Sequence, residues 1–264
     1  HDIAVARLKK YIVKDEYRIH LHDLIHDQLK ETLDKIRVKD NMGLCPNKEN
    51  LFPILTHYYQ SLESVLYLII NGVYWAREEN YYLFTDILKS ISEPPKSSQG
   101  SFYEETKHLL YFPSLLTIYT IGLSALKQDN YEIINQCFTI KIKESDSDYS
   151  EEVFLIEKVH SCMVDSKIMN SILDKNYKTP LSTYLNQTLE PIFIKYFYNS
   201  KEFQDKFDMF EYLLSLNYFH IVGPKWGHDW APWGEYQWRK FGGLRGKTYV
   251  LNDFIKEAEK QKDD

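Results

Sequence analysis

Three histidines and two aspartates lie close together near the start of the chain, in the stretch His20-Leu-His22-Asp-Leu-Ile-His26-Asp27. On a helix, His22 and His26 project from one face, one turn apart. That spacing can hold a transition metal, with Asp23 as a further ligand. The alternative, which we favour, is structural: the histidines lie beside the apolar stripe that continues through Leu29 and Leu33.

Two motifs, the same histidine cluster and a glycine-rich stretch, resemble known catalytic sites but are incomplete. His22, Asp23 and His26 resemble part of the His-Asp core of HD-type phosphohydrolases, in which bound metals activate water. That core needs an earlier histidine on a preceding helix, and only His1 and His20 lie upstream. The stretch 242–248 ends like a phosphate-binding loop, but Phe241 stands where the first glycine belongs and no apolar strand precedes it.

Other catalytic arrangements receive less support. His160 and Cys162 are too close in sequence to suggest a nucleophile and its base. No paired carboxylates with an evident pocket stand out. We therefore predict no catalytic residue and no cofactor, with the HD-like hydrolase as an alternative.

Aromatic and basic residues are concentrated near the end of the chain. Together they can bind single-stranded nucleic acid by stacking and charge, but cations also stack on tryptophan within a fold. The net charge of −6 disfavours nucleic acid as a partner. We interpret the stretch first as a lid that locks the helices together. Its candidate binding residues are Trp226, Trp230, Trp233, Trp238, Arg239 and Arg245.

Most of the chain shows the periodicity of α-helices, and these helices must position the residues described above. Apolar side chains recur at three- and four-residue steps, which is typical of amphipathic helices. The pattern predicts an all-α fold, an αα-hairpin bundle with a Trp-rich C-terminal loop and a closing helix. Pro53 and Pro180 are placed in first turns, a break is expected near Pro191, and 137–143 allows a short strand. The expected helices cover residues 2–14, 16–37, 52–75, 81–91, 102–127, 130–140, 153–173, 180–191, 203–219 and 249–259.

An internal similarity suggests repeated hairpins. Gly72 and the pair Asn80-Tyr81 recur fifty residues later as Gly122 and Asn130-Tyr131. In each copy a glycine lies late in an apolar helix, a polar turn follows, and an aromatic residue begins the returning helix. The pattern resembles the helical hairpins of tetratricopeptide repeats.

Composition limits the class of protein. The 264 residues suffice for one helical domain, with two lobes (1–143 and 152–264) joined by an acidic loop as the alternative. Three scattered cysteines fit reduced thiols, so we expect a cytoplasmic protein. The longest apolar run, 65–70, is too short for a bilayer, so no membrane partner is expected. Because the first residue is His, we suspect a fragment of a larger protein.

Four stretches carry a family resemblance that extends over most of the chain: 8–24, 111–126 with its following Asn-Tyr, 179–185 with 207–214, and 230–239. They resemble a helical region at the C-terminal end of bacterial multidomain proteins, where it follows an effector or sensor domain, in several cases sirtuin-like or linked to phage defence. The resemblance implies a regulatory or scaffold domain whose partner is another protein, a fused effector domain or a second copy.

Overall fold

The computed structural model describes residues 1–36, 48–93, 108–143, 151–226 and 230–241. Within these ranges the chain is all-α apart from one two-stranded antiparallel sheet, which confirms the predicted class. The strands are β1 (Lys141–Lys143) and β2 (Glu152–Phe154). The helices are α1 (Asp2–Ile12), α2 (Arg18–Ile36), α3 (Lys48–Trp75), α4 (Tyr81–Ser92), α5 (Phe112–Leu126), α6 (Tyr131–Phe138), α7 (Ser166–Leu173), α8 (Pro180–Phe193), α9 (Ser200–Ile221), α10 (Gly223–Trp226) and α11 (Glu235–Phe241).

Helix α5 lies at the centre of the fold. All of its residues are buried, and it packs against α3, α4, α6 and α9. Three of its hydroxyl groups are satisfied within the helix: Thr117, Thr120 and Ser124 each donate to the carbonyl four residues earlier, at 2.7–2.8 Å. The buried hydroxyl of Ser114 has no hydrogen-bond partner in the described structure. A helix with polar residues can therefore be buried on every side without unpaired hydroxyls at these positions.

The apolar core is continuous from the first helix to the ninth. It includes Leu8 and Leu21 near the start, Leu66 and Leu116 in the middle, and Phe207 on α9. Helices α1, α2 and α3 pack on one another, and α3 also contacts α5 and α7. Both halves of the chain contribute to the same core, and β1 pairs with β2 across the acidic stretch between them.

The stretch His108–Leu126 is long and apolar enough to cross a membrane. However, 89% of that window is buried inside the fold, which is also how the core helix of a soluble protein is placed. Length and composition alone therefore say little about a membrane.

Several helices match the sequence prediction, and α3 differs. Helices α1, α2, α4 and α9 begin and end within a few residues of the expected bounds. Helix α3 begins at Lys48, so Pro53 lies in its second turn and not in its first. Pro53 has no N–H to donate to the carbonyl of Glu49, and Glu49 is exposed, so solvent can replace the lost bond.

The predicted helix over 153–173 is wrong. Residues 152–154 form β2, a single 3-10 turn follows at Leu155–Glu157, and α7 begins only at Ser166. Asp165 sets that start, because its carboxylate accepts from the N–H groups of Lys167 and Ile168 at 2.8 and 3.3 Å. Further along, α8 has Pro180 as its first residue and ends two residues after Pro191. The short strand allowed within 137–143 is confirmed as β1.

The two similar hairpins use their glycines differently. A Cβ at Gly72 would lie 2.5 Å from Phe84 on the returning helix α4, whereas a Cβ at Gly122 would lie 1.9 Å from Phe210 on α9. Tyr81 and Tyr131 do begin the returning helices. The two turns meet directly, since the Asn130 amide donates to the Tyr81 hydroxyl at 2.7 Å. A repeat array stays a prediction.

Candidate functional site

The histidine cluster lies on an exposed face of α2. The rings of His22 and His26 are stacked with centroids 6.2 Å apart, and Nδ1 of His22 is 3.7 Å from a carboxylate oxygen of Asp23. His20 packs instead against Tyr11, at 5.6 Å between ring centroids. Among the described residues, no three His, Cys, Asp or Glu side chains are arranged to hold a metal ion.

The Trp-rich stretch is not a single loop. Trp226 ends α10 and Trp238 lies within α11, although their side chains, like Arg245, lie outside the described part of the structure. Trp230 and Trp233 lie in residues 230–234, which belong to no helix or strand. We call residues 230–241 the strap, because they cross the surface formed by α8, α9 and the turn that follows β2. The closing helix expected at 249–259 also lies outside the described residues.

Hydroxyl and thiol groups hold the backbone of the strap. Ser215 on α9 donates to the carbonyl of Pro232 at 2.6 Å. Ser161 and Cys162 both donate to the carbonyl of Trp233 at 3.1 Å, and the N–H of Trp233 points back to the Cys162 sulfur at 3.4 Å. These bonds involve backbone groups, so they fix the position of the strap along the helices independently of its side chains.

The start of α11 is held in the same way. The backbone N–H of Glu235 donates to the hydroxyl of Ser182 at 3.0 Å, and the hydroxyl of Thr183 contacts the Glu235 carboxylate. Both partners belong to the first turns of α8. The strap is therefore attached to two different helices.

Arg239 closes the attachment with ion pairs. Its Nε–H donates to both carboxylate oxygens of Asp208, at 3.1 and 3.3 Å, and its two amino groups contact Asp208 and Glu235. Asp208 is only 3% exposed, whereas the Arg239 side chain keeps 31% of its surface exposed, so the carboxylate is the desolvated partner of this pair. Because the guanidinium already faces two carboxylates, it is poorly placed to bind a phosphate.

Glu211 is the most unusual group beneath the strap. It is 2% exposed, accepts from the Tyr119 hydroxyl at 3.2 Å through Oε1, and has no well-formed hydrogen bond at Oε2. Gly234 covers that oxygen so closely that a Cβ there would lie 1.9 Å from it. Burial raises the pKa of Glu211 to about 8; the Ser182 hydroxyl opposes this, and the charge of Asp208 adds to it. Glu211 is thus mostly protonated at neutral pH.

His160 is buried beside Trp230 and Cys162 is partly buried, but the two are not arranged for nucleophilic chemistry. Burial lowers the pKa of His160 to about 3 and raises the pKa of Cys162 to about 11. His160 Nδ1 accepts from the backbone N–H of Cys162 at 3.1 Å, and not from the thiol. The ring of Trp230 meets His160 and Tyr218 edge-on at 5.8 and 5.4 Å and keeps 40% of its surface exposed.

The buried carboxylates under the strap were missed in the sequence, where no paired carboxylates stood out. A signal was present: Gln204, Asp208, Glu211 and Ser215 follow one another at helical spacing along α9, beside the apolar face. Gln204 donates to Asp208 at 3.1 Å, so the row is also connected within the helix. The missed feature is a polar stripe inside an otherwise apolar interface.

A second surface feature lies at the turns of the two hairpins. Four aromatic side chains are exposed there: Trp75 at 53%, Tyr131 at 46%, Tyr82 at 37% and Tyr74 at 36%. Tyr74 and Trp75 contact each other edge-on at 5.1 Å. The hydrogen bond from Asn130 to Tyr81 places both turns at the same end of the bundle. We call these four residues the aromatic turn end.

Comparison with known proteins gives no identification: no family model, no curated protein and no solved structure matches this chain.

Proposed function

We propose that this chain is a non-catalytic helical interaction domain whose aromatic turn end binds another protein. The four exposed aromatic residues carry the proposal, since tryptophan and tyrosine are enriched where protein interfaces concentrate their binding energy. Tyr74 and Trp75 are in edge-on contact, and exposed apolar side chains that lie together mark an interaction site more often than isolated ones do.

The charged residues near the aromatic turn end indicate the kind of protein surface that would bind there. The exposed acidic residues Glu78, Glu79 and Glu132 lie in or next to the turns, with Arg77 as the exposed cation among them. The proposed partner is therefore a protein surface that is apolar at its centre and basic at its rim. The family resemblance supports a regulatory place beside an effector domain in a bacterial, cytoplasmic defence protein.

The strap supports this proposal over the alternatives. Its polar groups hold the strap to the bundle, and Asp208, their partner on α9, is buried. The Arg239 guanidinium already pairs with Asp208 and Glu235, which disfavours binding of single-stranded nucleic acid. In the part of the chain that the structure describes, no three metal-binding side chains come together around His22 and His26, which disfavours a metal-dependent hydrolase.

Site-specific photo-crosslinking tests the interaction surface. A photoreactive amino acid at Trp75 or at Tyr131 is expected to yield one common protein adduct in cells. The matched control is Tyr198, an aromatic residue that is 91% exposed elsewhere on the chain. With the purified partner, Trp75→Ala should weaken the affinity at least about tenfold, whereas Tyr198→Ala should leave it unchanged. Binding should also weaken as salt is added.

Four results would overturn the proposal. The first is that positions 75 and 131 give no shared adduct, and the second is that the partner's affinity does not change in Trp75→Ala. The third is an adduct of twice the chain's mass, together with sedimentation that depends on concentration. It would show that the partner is a second copy of this chain and not a protein with a basic rim. Metal-dependent phosphoester hydrolysis that disappears in His22→Ala would restore the hydrolase alternative.

A further inference from the structure

The strap adds little to the apolar core of the bundle. The buried residues that form the continuous core all precede the strap in the chain. The strap meets the margin of this core through Ala231 and through Trp230, whose ring contacts Tyr218 edge-on. Its other aromatic contact, between Tyr236 and Tyr212, lies outside that core. Detachment of the strap would therefore leave the core of the helical bundle complete.

Glu211 is the point at which the strap covers a buried carboxyl group. Its Oε2 atom lies against the backbone of Gly234 and has no well-formed hydrogen bond in the described structure. Its Oε1 atom accepts from the hydroxyl group of Tyr119 at 3.2 Å. A buried carboxylate needs several donors to replace its hydration, so this site accommodates the neutral form of Glu211.

The charged groups around Glu211 also favour its neutral form. Asp208 lies about one turn earlier on α9, and Glu235 is the first residue of α11. Both carboxylates contact the guanidinium group of Arg239. One cation thus already faces two carboxylates, and ionisation of Glu211 would add a third negative charge beneath the strap.

Detachment of the strap would uncover Glu211 and let its carboxyl group ionise near its ordinary pKa of 4.5. In the docked form, burial raises that pKa to about 8. Between these two values the docked form binds more protons than the open form, so the equilibrium moves toward the open form as the pH rises. Each pH unit multiplies the ratio of open to docked molecules by up to about tenfold.

The other titratable groups under the strap respond outside the upper part of this range. Burial lowers the pKa of His160 to about 3, so opening lets its ring take up a proton only below its ordinary value of 6.5. Burial raises the pKa of Cys162 to about 11, that of Tyr236 to about 12 and that of Tyr119 well above 10. Glu211 therefore sets the response between about pH 6.5 and pH 8.

We propose that the strap is a pH-sensitive latch, which detaches from a folded helical bundle more readily once Glu211 loses its proton. The docked form stays the more populated one, so opening shows as faster exchange of the strap with solvent. Opening exposes the side chains that hold the strap by its backbone: Ser161, Cys162, Ser182 and Ser215. A rise in pH therefore increases access to a surface that binds backbone groups. The latch does not depend on the aromatic turn end.

Hydrogen exchange of backbone amides in the whole chain tests the latch. Rates are measured from about pH 6.5 to pH 8 and divided into the rates of unprotected amides at each pH, which gives a protection factor. The N–H groups of Trp233 and Glu235 bond to Cys162 and Ser182, so they report on docking of the strap. Their protection should fall by up to about tenfold per pH unit. At each pH it should be at least about a hundredfold lower than the protection of α5, because the strap opens without the bundle.

Two variants assign the response to one carboxyl group. In Glu211→Gln the protection of the strap should not change over this pH range, whereas Glu132→Gln, an exposed change on α6, should behave as the parent does. Thermal melting confirms that each variant is folded.

Three outcomes contradict the latch, and the parent protein alone supplies two of them. Equal protection of the strap and α5 would show that the strap opens only when the whole bundle unfolds. Strap protection that does not change with pH would show that no proton holds the strap in place. The same fall with pH in Glu211→Gln as in the parent would assign the response to another group.

Discussion

Replacing Glu211 with glutamine is expected to remove a pH dependence of folding stability between about pH 5 and pH 8. The pKa of this carboxyl group is about 8 in the folded protein, against an ordinary value of 4.5. Between these values the folded chain binds one proton more than the unfolded chain. The free energy of unfolding must therefore fall as the pH rises. The stabilising contribution is complete below the ordinary value and is lost as the pH approaches the folded value.

The magnitude follows from the size of the shift. Each pH unit within the window changes the free energy of unfolding by about 1.4 kcal/mol, so the whole window amounts to roughly 4–5 kcal/mol. Glu211 is buried, so solvent screening does not reduce this figure. For a chain of this size the corresponding change in melting temperature is on the order of ten degrees.

Glutamine matches the protonated carboxyl in shape and cannot ionise. Denaturant titrations of both proteins, followed by tryptophan fluorescence, give the difference in the free energy of unfolding at each pH. Groups that titrate in both proteins cancel in this difference. The glutamine variant should gain stability relative to the parent as the pH rises. Glu132→Gln makes the same chemical change on the exposed surface of α6 and serves as the control. If the curves for parent and Glu211→Gln run parallel from about pH 5 to pH 8, the buried carboxyl is not protonated and our account of the strap is wrong.

Three further substitutions test the packing. Asn130→Ala removes a helix cap and the hydrogen bond to Tyr81, so it should lower the free energy of unfolding by about 1–2 kcal/mol. Asn80→Ala should be nearly neutral. Equal losses of stability in denaturant melts of the two variants would contradict this contrast. Gly122→Ala places a methyl group within 1.9 Å of a buried phenylalanine ring on α9 and should cost about 3 kcal/mol or more, so an unchanged melting temperature would refute the close approach. Trp230→Ala should lower the free energy of unfolding by about 2 kcal/mol, which is less than for a fully buried tryptophan, because 40% of this residue is exposed. Calorimetric melting measures the loss. A loss above about 4 kcal/mol would show that the side chain is more deeply buried.

The helices that could be predicted from sequence are those whose burial is one-sided. Helix α2 exposes His22 and buries Leu21 and Ile25, so its apolar stripe is visible against polar neighbours. The prediction failed over residues 153–173, where Ile156 and Val159 are buried in a 3-10 turn and an irregular segment. Apolar spacing reports burial, and it indicates a helix only when the backbone is regular.

The contacts of the strap could not be predicted from the sequence, for a different reason. Its bonds join residues far apart in the chain: Ser161 to Trp233 across 72 positions, and Asp208 to Arg239 across 31. No local pattern encodes such pairs. The stripe of Gln204, Asp208, Glu211 and Ser215 does reveal that one face of α9 needs polar partners, but it does not identify them.

The polar anchors explain how an aromatic segment can dock in one position only. Contacts between tryptophan and an apolar surface are weakly directional, so they alone would allow the strap to slide along α9. A shift by one residue would separate Ser215 from Pro232 and Arg239 from Asp208, leaving buried polar groups unpaired at a cost of about 1–3 kcal/mol each. The protonation of Glu211 also helps to fix the strap. A neutral carboxyl under Gly234 lets the backbone of the strap approach α9 closely, whereas a second buried negative charge beside Asp208 would disfavour this approach. The stability of the strap should therefore depend more on these few polar groups than on its exposed tryptophan.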